Sequence, residues 1–324
     1  MSPWQLLTQV VAPLTAIAAV GALIEWRRLF KVSDLTRLTI LVLTPSLLFS
    51  RLSSAHIGLT RLLTVVAIAI PPALAVAAVL HVVIGFSLLS KNVVSDLDRR
   101  LAVIVAVVPN AGNFGLPLAQ ALGRMAERAG PGSPLTGLRA SDILATQTAL
   151  LVAGNILLWL VAPLYLRSLT EPGTPTRYLR LVPAAAALVA AVTVSATGTV
   201  VPTVIKLPVG ILGDACVPVL LLALGGVLVS LRHHAVGGEL WLVVMATVAK
   251  LLVVPTIVWG WSRWLGHWPE PGYQLVLATA APTAVLTSQL HNEDMGRSSV
   301  AESTILWSTI LSIGTLSIIS VMVR

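Results

Sequence analysis

Ten stretches of roughly twenty mostly apolar residues follow one another through this 324-residue chain. They fall at about 4–24, 34–52, 61–89, 99–122, 140–166, 178–200, 207–230, 239–265, 272–290 and 300–323. A bilayer core about 30 Å thick is spanned by about 20 apolar residues of helix, so each stretch reads as a membrane helix. The connections are short and polar, and none is long enough to form a soluble domain. Only 10% of the residues are charged, against about 25% in soluble domains. That excludes an ordinary soluble protein, a disordered tail and a fibrous repeat. The single Cys216 excludes an internal disulfide and a cysteine-rich metal site. The net charge is +8, but the basic residues lie in the short loops. They read as an orientation signal, not as a nucleic-acid surface.

No Lys or Arg precedes Arg27, so the first stretch lacks the basic start of a signal peptide and reads as a retained helix. Loops after odd-numbered spans hold twelve Lys and Arg, and the opposite side holds eight. This bias puts the loops after odd spans in the cytoplasm and both termini outside, in a multi-pass protein of the cell membrane.

Two spans are interrupted. The fourth contains Pro109-Asn110-Ala111-Gly112-Asn113-Phe114-Gly115-Leu116-Pro117, and the ninth contains Ala281-Pro282-Thr283-Ala284. Proline removes a backbone donor and clashes with the preceding turn. Backbone groups freed in this way are tolerated at membrane depth only inside protein or beside water. The two breaks hold the same place in two sets of five spans, and paired interrupted helices are a sequence pointer to a transporter site. Pro45 and Pro109 are 64 residues apart, as are Pro218 and Pro282, a shared offset of 173. An odd number of spans per repeat forces opposite orientations. The expected fold is therefore all-α, with ten membrane helices in two inverted five-helix repeats: 1–166, a connector at 167–177, and 178–324.

The run Pro109–Leu118 resembles the fourth-span motif of the auxin efflux carrier family of membrane transporters. Ser33–Arg37 leading to Thr44–Phe49 also resembles that family, as do Ala280–Ala284, Glu293-Asp294 and Ser303-Thr304. The short connector matches the bacterial branch, because the plant branch carries a long hydrophilic loop there. The resemblance implies a scaffold domain, a transport domain with broken helices 4 and 9 crossed, a homodimer and an organic-anion substrate such as a small carboxylate.

The residues themselves also favour an anion. Half-helix N-termini present N–H groups and roughly half a positive charge, so two such ends at mid-membrane suit a carboxylate. The substrate-binding candidates in span 4 are Pro109, Asn110, Gly112, Asn113 and Phe114. Those in span 9 are Pro282, Thr283, Thr287 and Gln289. A threonine here also has the bland alternative of bonding back to its own helix. Lys250, midway along span 8, is an intramembrane charge and hence a functional candidate by default. It reads as a coupling or charge-compensating group, with Asp214 as a candidate partner, or as a tether for carbonyls freed by Pro255. Gln147 and Asn155 read as interhelical hydrogen-bonding residues, and the tryptophans, Trp159 among them, as interfacial anchors.

The combined expectation is a secondary transporter that moves small organic anions by an elevator-type movement. It is not an enzyme, needs no cofactor or metal, and has the lipid bilayer and a second copy as partners. The alternative is a sodium-coupled carrier of the bile-acid symporter type. An intramembrane enzyme would need a zinc-binding histidine pair, paired aspartates or a serine with a buried base, and none is present.

Overall fold

The structure is a computed structural model describing residues 12–29, 32–54, 59–86, 94–112, 114–127, 136–166, 182–231, 239–289 and 298–322. Every regular element among them is helical. In chain order they are α1 (Ala12–Trp26), α2 (Val32–Leu38), α3 (Thr44–Ser54), α4 (Leu59–Phe86), α5 (Asp96–Val107), α6 (Gly115–Ala126) and α7 (Ala140–Ile156). There follow α8 (Ala162–Leu166), α9 (Val182–Thr197), α10 (Thr203–Leu231), α11 (Leu240–Val248), α12 (Val254–Trp264), α13 (Gly272–Thr279) and α14 (Ser299–Met322). Each of the ten apolar stretches carries helix. Among the described residues, four helical runs are long and apolar enough to cross a membrane: Thr60–Phe86, Ala140–Leu166, Thr203–Ala223 and Leu240–Trp264.

Three short π-helical turns join neighbouring helices, at Thr39–Leu43, Leu157–Val161 and Ala249–Val253. Each stands directly before an X-Pro step: Thr44-Pro45, Ala162-Pro163 and Val254-Pro255. A proline cannot donate, and its ring crowds the carbonyl four residues back. Widening the preceding turn relieves that crowding and lets the helix run on. The third of these turns carries Lys250.

The helices pack as two bodies. In the first, α10 lies against α1, α2 and α3, and α9 lies against α3. Small residues set the closeness of this contact, as in membrane helix pairs generally. A Cβ on Gly225 would fall 1.7 Å from the Ala18 carbonyl oxygen, and one on Gly21 would fall 2.0 Å from that of Leu222. In the second body, α4, α5 and α7 pack together, α6 lies on α7, α12 on α4 and α13, and α14 on α5 and α11. Its core is aliphatic and centred on the fully buried run Leu101–Ala106 of α5. Contacts between the bodies are sparse and run mainly through α3 against α7 and α10 against α14.

Candidate functional site: two broken helices joined by a backbone bridge

Helix α5 ends at Val107 because Pro109 prevents its continuation, and Val108 swings into extended conformation. Helix α13 ends at Thr279, three residues before Pro282. The two breaks meet. Pro109 and Thr283 form an isolated antiparallel bridge. The Asn110 N–H donates to the Pro282 carbonyl at 2.9 Å, and the Ala284 N–H donates to the Val108 carbonyl at 3.2 Å. Each proline break thereby supplies the partner for the other, which is how extended backbone is satisfied without water.

Side chains complete the satisfaction of the breaks. Thr283 is fully buried, and its hydroxyl donates to the Val105 carbonyl at 2.7 Å. Its own N–H donates to Ser308 Oγ on α14 at 3.2 Å. Gln147 Nε2 on α7 donates to the Ala111 carbonyl at 2.8 Å, so the residue ties its helix to the break of span 4 and not to a second helix. Gly115 is needed beside it, because a Cβ there would fall 2.1 Å from Gln147 Nε2. The start of α6 is less open than the sequence suggested. The Gly115 N–H is taken by the Asn110 carbonyl at 2.9 Å and the Leu116 N–H by that of Gly112 at 3.2 Å. Pro117 has no N–H to offer. The turn uses these donors itself, so they are not open to a ligand.

Beside the bridge lies a cavity of about 40 Å³. Its floor is Val108–Gly112, and its sides are Leu151, Gly154, Asn155 and Leu158 of the α7 helix and Ala284–Leu286. Thr44, Leu47 and Leu48 of α3 close it, so it opens between the two bodies. About three waters would fit, at ~10–15 Å³ of accessible volume each. A pocket for a bound small molecule is typically ~300 Å³ or more. In this conformation the bodies stand too close for an organic anion.

The candidates from the sequence divide accordingly. Pro109, Asn110 and Gly112 line the cavity. Pro282 and Thr283 build the bridge, and Thr283 is spent on holding Val105. Phe114 packs instead into an apolar cluster with Leu118, Leu122, Tyr273 and Leu277. Thr287 is fully buried, and its hydroxyl bonds back to the Ala284 carbonyl at 2.6 Å, the bland alternative for a threonine. Asn113, the connector 167–177 and the side chain of Gln289 lie outside the described residues.

Lys250 is 0% exposed, and its Nζ donates to the Thr279 carbonyl at 2.6 Å. Thr279 is the last residue of α13, where the helix dipole is negative. The ammonium therefore ties span 8 to the broken span 9, and the carbonyls freed by Pro255 are not what it holds. Asp214 is not its partner. That carboxylate lies on an exposed part of α10 and meets Arg51 at 2.8 Å. Asn155 bonds within its own helix, to the Leu151 carbonyl, and accepts from Trp159 Nε1. Trp159 is accordingly buried and no interfacial anchor. Thr44, Gly154 and Asn155 were missed as cavity residues, although the Thr44-Pro45 step had been singled out as a motif.

Membrane-length helices, two of the remaining spans broken at depth and joined through their backbones, and a cavity between two packed bodies together define a membrane-embedded transport protein. Residues 176–320, somewhat under half of the chain, match the model of a family of membrane transport proteins that includes the auxin efflux carriers. The break at Pro282 lies inside the match, and the break at Pro109 lies before it. No curated protein matches the chain.

Proposed function

We propose that the protein is a secondary transporter of small organic anions, carboxylates in particular, and that the cavity at the bridge is the closed form of its substrate site. The observation that carries this reading is the position of the cavity. The broken-helix residues Pro109, Asn110 and Gly112 face Thr44 and Leu47 of the other body across it. Substrate held on one body and walled by the other changes sides when that body slides, which is an elevator movement. The sparse contacts between the bodies suit such sliding, with α1–α3, α9 and α10 as scaffold and the remaining helices as transport domain. Ten spans in two inverted halves, 1–166 and 178–324, would generate this arrangement, with both termini outside the cytoplasmic membrane. A homodimer is proposed on the family resemblance.

Asn110 is the polar side chain from the breaks that lines the cavity, and its amide can donate to a carboxylate. Lys250 supplies a fixed or titrating positive charge on the transport domain, at the negative end of α13. That charge offsets the substrate's and stands where a coupling cation would otherwise be needed. The sodium-coupled alternative requires a carboxylate near the core, and Asp214 is committed to Arg51 at the surface. Uptake of a labelled carboxylate panel into proteoliposomes, with and without sodium and across pH, tests the reading. Sodium-independent uptake of at least one small carboxylate is expected. Uptake of none, with well-folded protein, would overturn it.

A further inference from the structure

A second cavity, of about 220 Å³, lies between α4, α5 and the α7–α8 helix and shares Val108 with the first. Apart from His81 and Tyr165 its lining is aliphatic, with Leu74, Ala78, Val107 and Val161 among the wall residues. It opens outward: Leu74, Ala78 and His81 are exposed on the face of α4 that also exposes Val79 and Val82. That face is membrane-facing in a helix of this length and apolarity. An aliphatic cavity of this size stays dry and takes apolar ligands, since ~150 Å³ already holds a benzene.

One end of the crevice is polar. His81 Nδ1 and the Tyr165 hydroxyl are 2.7 Å apart. The Arg100 guanidinium lies over the Tyr165 ring, 5.3 Å from its centroid, and donates to the Tyr165 carbonyl. Arg100 is half-buried, and among the described residues no carboxylate meets it. A half-buried guanidinium that no described carboxylate meets, beside a dry aliphatic slot open to the membrane, is complementary to one kind of molecule. We propose that this crevice binds an anionic phospholipid, with one acyl chain between α4 and the α7–α8 helix and the phosphate on Arg100. Arginine's planar fork suits a phosphate, and basic pockets between membrane helices recognise anionic headgroups. His81 and Tyr165 lie between the charge and the slot, at the depth of the glycerol esters. A free phosphate would leave the aliphatic walls unfilled, and a zwitterionic lipid would bring its own cation to compete with Arg100 for the phosphate.

The test uses the full-length protein in detergent, with lipid binding followed by native mass spectrometry. Palmitoyl-oleoyl phosphatidylglycerol should bind about five-fold more tightly than the phosphatidylcholine of the same chains, the ratio expected for one basic side chain. Six-carbon phosphatidylglycerol should bind more weakly than the long-chain form. Arg100→Gln should remove the headgroup preference, and Arg100→Lys should keep part of it. Ala78→Phe, which fills the slot from an exposed position, should abolish binding of both long-chain lipids without lowering the melting temperature. Undiminished phosphatidylglycerol binding by Ala78→Phe, or an intact preference in Arg100→Gln, would overturn the site. Absence of phosphatidylglycerol binding to the wild type would also overturn it, and would mean that another part of the chain, such as the segment after Leu166, covers the crevice.

Discussion

The Lys250 ammonium is the residue whose setting is hardest to explain by packing alone. It is wholly buried and has one backbone carbonyl as its partner. Removing the ammonium relieves a buried charge but leaves the buried Thr279 carbonyl without that donor, at a cost of about 1–3 kcal/mol. Lys250→Met is therefore expected to leave the melting temperature within a few degrees of wild type while cutting uptake about ten-fold or more. Lys250→Arg should retain part of the uptake, limited by the fit of the larger fork. Full transport by a well-folded Met variant would remove the functional role. Thr283 carries no charge, and its loss is read in stability alone. Its hydroxyl holds a buried carbonyl, so Thr283→Val should lower stability by about 1–3 kcal/mol, read as a fall in melting temperature. Gln147→Leu and Gly115→Ala both disturb the bond to Ala111, so their destabilisations should be less than additive when combined.

At the scale of elements, two kinds of contact hold the helices in place, glycine approaches in the α1–α10 pair and proline-associated breaks in the second body. Gly225→Ala places a methyl against the backbone of Ala18, so it should lower the melting temperature severely or prevent folding. Gly210→Ala has open space around the added carbon and should be close to neutral. The helices themselves were legible in the sequence, because membrane depth leaves so few alternatives to a long apolar helix. The two interruptions were legible for the same reason, since Pro109 and Pro282 stand out within apolar runs. What the partners would be was not legible. No local pattern announces that Thr283 reaches Val105, 178 positions back, or that Lys250 chooses Thr279 over the carbonyls near Pro255. Asp214 looked central because it stands within an apolar run, but the face of α10 it occupies is exposed, and Arg51 meets it there. Phe114 and Thr287 were named for their neighbours in sequence, and their side chains turn to the core and to the local turn.

At the scale of the whole molecule, the account depends on two bodies that separate around a small closed cavity. With Cys216→Ala as background, cysteines at Leu47 and Gly112, which line the cavity from the two bodies, should be bridged by mercury(II). The bridge should stop uptake, and a thiol should restore it. The proposed orientation rests on the loop charges, and on it a label after Arg324 should react from the extracytoplasmic side alone. The central claim is that the cavity at the bridged breaks is where the anion is held. Equilibrium binding of a transported carboxylate to wild type and Asn110→Ala tests it most directly. Losing one hydrogen bond to a charged group costs about 1.5–3 kcal/mol, so the variant should bind about ten-fold or more weakly, compared as folded protein. Equal affinity in a folded Asn110→Ala variant would contradict the account.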